Sequence, residues 1–470
     1  MTIAAQNPQL ATISAIASPI GQGGVGVVRL SGRFAYDIAC QLTRRDSLTP
    51  RHAHFSPFFM ADGTLLDEGV VIYFKAPHSF TGEDVVELQG HGGAVLQNML
   101  LSRTFELGAR QATAGEFSLR AFDNGKMDLV QAEAINDAIS AVSQAQASSA
   151  IRSLSGEFSH KIHDLGEKLT TLRLYVEASI DFSDEEDVDF LADGVIKQRI
   201  EDILAQIDNI LATAQQGRLL RDGVSVVLAG RPNAGKSSLL NRLAGTERAI
   251  VTDVAGTTRD TLSETLVLGG LTVHLTDTAG LRSTDDKVEQ IGITKAREAI
   301  NGADVLLLVY DVSGETEPLA LAKQLFAKEF HDDFSDVIAK KLLLVANKSD
   351  LLNVPRETLS TLDSQGISVQ SVAVSCQTGQ GIDVLIQTLQ DIVGFHPPEN
   401  SLIARSRHVD ALKRAKTYAQ EAHEQLTVYQ AGELVAESLR LSAQSLGEIT
   451  GQVSSDDLLG RIFSSFCIGK

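Results

Sequence analysis

The apolar residues Val224, Val226, Val227 and Leu228 run straight into Gly230-Arg231-Pro232-Asn233-Ala234-Gly235-Lys236-Ser237. This GxxxxGK[ST] pattern narrows the fold more than any other feature, because it works only as the turn between a buried strand and the helix behind it. Its backbone N–H groups converge on phosphate oxygens, and the helix N-terminus adds a favourable dipole. Lys236 is placed to reach the β- and γ-phosphates, and the Ser237 hydroxyl to bind Mg²⁺. Such a unit needs neighbouring strands. Strand-like blocks at 271–275, 305–309, 342–345 and 369–374 alternate with helical stretches, so a parallel α/β sheet is expected over 223–394.

Further motifs stand at the ends of those strands. Asn347-Lys348-Ser349-Asp350 follows 342–345. The Asp350 carboxylate can accept both N1–H and the exocyclic amine of guanine, a donor pair adenine lacks. Asp277-Thr278-Ala279-Gly280 closes another strand; Asp277 can hold Mg²⁺ through water, and the Gly280 amide can sense a γ-phosphate. In the loop Gly256-Thr257-Thr258-Arg259-Asp260, Thr258 is the natural second hydroxyl on Mg²⁺. GTP contacts are therefore expected from Asn233, Ala234, Gly235, Lys236, Ser237 and Ser238. Thr252, Asp253, Val254, Ala255, Gly256, Thr257 and Thr258 should follow, with Asp277, Thr278, Ala279 and Gly280. Asn347, Lys348, Asp350, Ser375, Cys376 and Gln377 should surround the base, with Cys376 where a small alanine is usual and the contact resting mostly on backbone.

Many GTPases place a glutamine just after the DTAG segment to orient the attacking water. Leu281 stands there, with no hydrogen-bonding group. Hydrolysis then needs another water-orienting residue and another source of positive charge. The Asn233 amide oxygen could help hold a monovalent cation beside the β/γ-phosphates, where an arginine finger otherwise acts. A plain turn-stabilising role for Asn233 stands beside that reading.

The flanks are of another kind. Strand-like blocks at 25–30, 70–74 and 85–88 sit among glycine-rich turns. Leu165, Leu169, Leu172 and Val176, then Ile196, Ile200, Ile203, Ile207 and Ile210, mark apolar stripes on two long helices. Helical spacing returns in Val409, Leu412, Ala415, Ala419, Ala422 and Leu426, and in Val435, Leu439, Ser442 and Leu446. A helical domain interrupted by the α/β domain is the expected plan. The boundaries fall at 1–126, 127–222, 223–394 and 395–470. GQGGVG at 21–26 reads as a turn, since it precedes a strand instead of following one. His91 reads as a structural turn residue and DEEDVD at 184–189 as a solvated loop. Arg405, Arg407, His408, Lys413, Arg414 and Lys416 form the best local nucleic-acid-contact candidate, or a charged helix face.

Composition sets limits. The net charge of −19 argues against a free-standing nucleic-acid binder, which is usually basic. Cys40, Cys376 and Cys467 are scattered without metal or disulfide spacing, and neither a membrane-length apolar run nor a secretory leader is evident. A cytoplasmic protein is expected.

The chain resembles the bacterial tRNA-modification GTPases of the MnmE (TrmE) family. The likeness is carried by SFTGEDVVELQGHGG (79–93), GRPNAGKSSLLN (230–241), TDVAGTTRD (252–260), DTAGLR (277–282) and LLGRIFSSFCIGK (458–470). It implies a multidomain α/β plus α protein: an N-terminal folate-binding and dimerising α/β domain, and a helical domain interrupted by a Ras-like P-loop GTPase domain. It implies a potassium-dependent GTPase that forms a homodimer and a hetero-oligomer with an FAD-dependent partner, the FAD being carried by the partner. Together they would modify C5 of the wobble uridine of certain tRNAs to an aminomethyl-type group, with a one-carbon unit from a 5-formyl-tetrahydrofolate-type folate. The family's potassium ligands fall on Asn233, Thr252, Val254 and Thr257, and its Mg²⁺ ligands on Ser237 and Thr258. Glu289 falls on the acid that orients the hydrolytic water, beside Lys236 and Asn233 in catalysis. The folate site maps to Arg29, Glu87, Lys126 and Lys470, and Cys467 to a position near the presumed chemistry. The competing reading is a GTP-gated ribosome-assembly or regulatory GTPase without modification chemistry.

Overall fold

The computed structural model of the chain describes residues 11–19, 21–181, 194–246, 263–277, 298–315, 317–330, 340–352, 358–364, 367–396 and 401–469. Thr252 to Thr258, Thr278, Ala279, Gly280, Glu289, Lys470 and the acidic run at 184–189 lie outside the described residues.

The first elements are β1 (Ile13–Ile16), β2 (Gly23–Ser31), α1 (Ala35–Thr43), β3 (Ala53–Phe59), β4 (Leu65–Phe74), β5 (Val85–Gly92), α2 (Ala94–Glu106), β6 (Arg110–Gln111) and α3 (Glu116–Asp123). The strands form one sheet in the order β3-β4-β5-β2-β1-β6. Its pairs are antiparallel except β1 with β6. Alternate residues of β2, β4 and β5 (Val28, Leu30, Val71, Val86, Leu88) are buried against Ile38 and Leu42 of α1 and Leu100 and Leu101 of α2. That is the period-two pattern of a sheet covered on one face by helices. Two expectations are corrected here. Gly23 to Gly26 belong to β2, where a register irregularity between Gly23 and Gly26 lets the glycine stretch pair with Gly92 and Gly90. His91 is a strand residue of β5, and its ring and N–H both contact the Asp67 carboxylate.

Helices follow: α4 (Leu129–Ser140), α5 (Gln144–Leu154), α6 (Glu157–Asp181) and α7 (Val195–Asp222). The stripe Leu165, Leu169, Leu172 and Val176 is fully buried along α6, as are Ile196, Ile200, Ile203 and Ile207 of α7. The α/β elements are β7 (Val224–Ala229), α8 (Lys236–Thr246), β8 (Ser263–Leu268), β9 (Leu271–Asp277), β10 (Val305–Asp311), α9 (Pro318–Phe330), β11 (Leu342–Asn347), β12 (Leu359–Ser364), β13 (Ile367–Ala373) and α10 (Ile382–Val393). Their sheet runs β12-β13-β11-β10-β7-β9-β8. The five strands foreseen from sequence are mutually parallel. The edge strands β8 and β12 are antiparallel additions. Both are short hairpin partners whose alternating polar residues lack the continuous apolar run of a central strand. β7 is buried on both faces: Val224, Val226 and Leu228 enter one core, Val227 and Ala229 the other.

The chain ends in α11 (Ser406–Glu424), a π-helical turn (Gln425–Tyr429), α12 (Gly432–Thr450) and α13 (Asp456–Ser464). By packing, the described residues group into two compact units. One takes residues from 1–136, 153–197 and 421–470, the other from 137–152 and 198–420. In the first, α12 packs along α6, and Ile462, Phe463 and Phe466 are buried against Leu129 and Ala132. Among the described residues no helix is long and apolar enough to cross a membrane.

Candidate functional site

Parallel register brings the strand ends of the second unit to one edge. Leu228 is level with Asp277, Asp311 with Asn347, and Ala346 with Ala373. Ligands of open α/β sheets bind at this carboxyl edge. The loop after β7 shows why its glycines are required. Gly235 has φ +94°, and a Cβ there would overlap the Asn347 side-chain nitrogen; Gly230 has φ +150°, and a Cβ would overlap the Val309 carbonyl. Asn233 also takes a left-handed conformation, φ 63°, with its side chain exposed. Lys236 curls back over the loop and donates to the carbonyls of Gly230 and Arg231 at 2.9 and 3.3 Å. Ser237 and Ser238 are exposed at the start of α8.

Asn347 joins the phosphate loop to the base loop. Its side chain is 2% exposed. The amide nitrogen donates to the Ala234 carbonyl at 2.9 Å, and its oxygen accepts the Cys376 N–H at 3.3 Å. The contact of Cys376 is thus through backbone, and burial pushes its thiol pKa up. Ser375 is buried and its hydroxyl accepts the Thr378 N–H. Lys348, at φ 63°, donates to Asp311 at 2.6 Å, and this neighbour holds the Asp311 carboxyl at about 2. Asp350 is exposed in the single helical turn that follows, and Gln377 is exposed beside Cys376. Asp277 Oδ1 is buried with no hydrogen-bond partner among the described residues. A buried carboxylate oxygen left unmatched is costly, and a hydrated divalent cation beside the Ser237 hydroxyl fits that need.

A second cluster lies in the first unit. Arg29 of β2 and Glu87 of β5 are level across the sheet and form an ion pair at 2.9 Å. The Arg29 guanidinium stands 5.7 Å from the Phe80 ring and 5.9 Å from the Phe117 ring. Lys126 donates to the Pro77 carbonyl at 3.0 Å. Asn124 donates to the Thr81 carbonyl, so both grip the loop that presents Phe80. Arg120 bonds both Glu83 and Glu116. Burial alone would raise the Glu116 carboxyl, yet Arg110 and Arg120 outweigh it and hold it at about 2. The end of the chain comes here too. Ile468 bridges Ala114, the Cys467 carbonyl accepts the Gly115 N–H at 3.4 Å, and Cys467 is exposed.

A family model described as "MnmE helical domain" matches residues 129–467, and one described as "GTP-binding protein TrmE N-terminus" matches 12–126. A protein of Psychrobacter sp. (strain PRwf-1) named "tRNA modification GTPase MnmE" is 66% identical over 461 residues, covering 98% of this chain and 99% of its own. The chain belongs to the MnmE family of tRNA-modification GTPases. Its Acinetobacter baumannii relative of the same name is 57% identical over 459 residues, 98% of each chain. The solved G domain of the T. maritima FeoB iron transporter aligns with 36% of this chain and 98% of its own, at 26% identity and a TM-score of 0.25.

In this MnmE-family chain the residues foreseen from sequence fall into two groups. Asn233, Lys236, Ser237, Asp277, Asn347, Asp350 and Cys376 come to one sheet edge, while in the other unit Arg29 pairs with Glu87 beside Phe80 and Lys126 holds the loop at Pro77, with Cys467 on the same unit. In the basic set at 405–416, three residues have roles within this chain. Arg405 donates to Asp137, His408 is buried, and Lys416 pairs with Asp208, so these three serve internal contacts. Sequence reasoning missed Asp311 and Glu315. Asp311 holds Lys348, and Glu315 pairs with Arg231 of the phosphate loop at 3.0 Å. The signal for Asp311 was its place two residues after the apolar run at 305–309.

Proposed function

We propose that this chain hydrolyses GTP with the help of a potassium ion and directs one-carbon transfer to the wobble uridine of certain tRNAs, using a tetrahydrofolate-type donor. GTP hydrolysis in tRNA modification is the activity of its family. The partner would be an FAD-dependent protein, and the chain would work as a homodimer. Boundaries at 126/127, 222/223 and 394/395 would separate a folate-binding domain, a helical domain and the GTPase domain inserted in it.

The observation that carries the reading is the Arg29–Glu87 pair beside two aromatic faces. Glu87 Oε1 is engaged by Arg29, whereas among the described residues Oε2 has only a 3.4 Å contact from Gln89. That oxygen suits the N–H and amine edge of a pterin ring, and Phe80, half-buried beside the pair, suits its flat face. Arg29 and Lys126 would hold the polar or anionic remainder, with Lys470 as a further ligand. Cys467, exposed on the same unit, would stand near the transfer.

At the nucleotide edge, Asn233, Ser237 and Asp277 fit the cations: an amide oxygen for K⁺, a hydroxyl and an unmatched carboxylate for Mg²⁺. Thr252, Val254 and Thr257 would complete the K⁺ shell, Thr258 the Mg²⁺ shell, and Glu289 would orient the water. A cation held there supplies positive charge at the phosphoanhydride, a place where arginine fingers contribute about 10³–10⁵ in rate.

Calorimetry with 5-formyl-tetrahydrofolate tests the first half. Wild type is expected to bind, and Glu87→Ala to lose at least about tenfold in affinity, a charge-assisted hydrogen bond being roughly twice as strong as a neutral one. No heat with wild type, or equal heat with the variant, favours a regulatory GTPase. Equal turnover in sodium and potassium refutes the cation assignment.

A further inference from the structure

Helix α5 comes from a stretch rich in Ala, Ser and Gln, outside the α/β segment in sequence, yet its polar side chains end among that segment's strands and crossings. Gln146 is 5% exposed. Its amide nitrogen donates to the Leu220 carbonyl at 2.7 Å and to Thr272 Oγ1 at 2.9 Å. Its oxygen accepts the Val142 N–H at 2.8 Å. Both amide hydrogens are thereby used. Leu220 lies in the last turn of α7, just before the chain turns into β7, and Thr272 is the second residue of β9. One turn further along α5, the Ser149 hydroxyl donates to the Ser401 carbonyl at 2.7 Å, beyond the end of α10.

β9 has a second tie to the same crossing. His274 Nε2 meets the Asp222 carbonyl at 3.1 Å, and its Nδ1 meets the Thr265 hydroxyl. There is little slack: a Cβ on Gly223 would fall 3.0 Å from Thr272 Cβ and 3.1 Å from His274 Nε2. A cavity of about 290 Å³, lined in part by Gln146, Asp222, Thr272 and His274, adjoins these bonds. The other end of β9 carries Asp277, level with Leu228 just before the phosphate loop.

We propose that Gln146 is a positioning residue that ties β9, and through it Asp277, to α5 and to the crossing where the chain joins the sheet, so that the nucleotide state is felt at α5. The proposal rests on the reading of Asp277 as the acid facing Mg²⁺ and the γ-phosphate. Thr272 and Asp277 are five residues apart, about 16 Å along an extended strand. A paired strand resists stretching, so a displacement at one end reaches the other. The buried amide cannot release Thr272 without leaving a donor unmatched. Movement of β9 therefore moves α5 with it or switches the amide to another arrangement, the kind of discrete alternative that carries coupling.

Hydrogen exchange followed by mass spectrometry on the full chain tests this, with GDP bound and with a non-hydrolysable GTP analogue bound. In wild type the amides of 144–154 are expected to differ by about fivefold or more in exchange rate between the two states, the signature of a local opening equilibrium that ligand shifts. Gln146→Leu and Thr272→Val each break the tie while keeping size, and are expected to reduce the difference below about twofold, with fluorescent GDP affinity within about threefold of wild type. If Gln146→Leu does not fold, Thr272→Val alone decides. Identical wild-type exchange in the two states, or a full difference in a variant that binds nucleotide, overturns the proposal. A wild type that binds no nucleotide overturns instead the reading of the site, and the coupling with it.

Discussion

Gly235→Ala puts the geometry of the phosphate loop to a quantitative test. At φ +94° an L-residue is strained by about 1–2 kcal/mol. The new methyl would also displace the Asn347 side chain from its bond to the Ala234 carbonyl. Leaving that buried pair unmatched costs about 1–3 kcal/mol. The free loop is exposed at Arg231, Pro232 and Asn233 and can relax away from the clash. A loop closed on phosphate cannot, so most of the penalty should appear as lost affinity. A combined 2–5 kcal/mol corresponds to about 30- to 4,000-fold weaker binding at 1.4 kcal/mol per tenfold. Titration with a fluorescent GTP analogue measures it. Gly245→Ala is the matched control, because it lies in α8 with nothing within 4 Å of the added methyl, and it should bind like wild type. Affinity of Gly235→Ala within about threefold of the control would refute the argument, since even the strain alone predicts more.

Glu116→Gln leaves Arg110 and Arg120 facing a neutral amide. A carboxyl moved from 4.5 to about 2 implies about 3 kcal/mol at 1.36 per unit, in line with breaking a buried ion pair. Because the folded carboxyl is depressed, the wild-type advantage is complete above about 4.5 and fades as pH falls towards 2. Denaturation midpoints of the two proteins should therefore differ at pH 7 and converge in acid; a constant gap would contradict the assignment. Phe463→Ala removes a ring packed 5.4 Å from Phe466 and 6.3 Å from Phe122, at about 3–5 kcal/mol. It should release the end of the chain, seen as faster exchange of the Gly115 amide; unchanged exchange would show that the tail is held by something else.

The sheet of the second unit was legible because central parallel strands are apolar on both faces, and the motifs sit at their ends. β8 and β12 were not, since an edge strand such as Ser263–Leu268 is half polar and carries no such run. The candidate nucleotide residues could be named because each motif is local to a loop. Arg29 and Glu87 could not be paired from their own letters. They lie 58 positions apart and meet only through the β2–β5 register, so the family likeness alone pointed to them. Gln146 was hidden for a related reason: nothing about a glutamine in an Ala/Ser-rich helix says that its amide reaches a strand 126 positions on.

The docking of Phe463, Phe466 and Ile468 against Leu129 and Ala114 has a consequence for how the protein is born. Gly115 leaves the ribosome 352 positions ahead of Cys467, whose carbonyl it binds. At about 5–20 residues per second, that delay is about 20–70 s. Before it ends, the sheet encoded in the middle can close on its own strands, while the first-made unit still waits with an apolar seam uncovered. A nascent chain stalled late in synthesis should thus grip nucleotide before its opening segment is sealed.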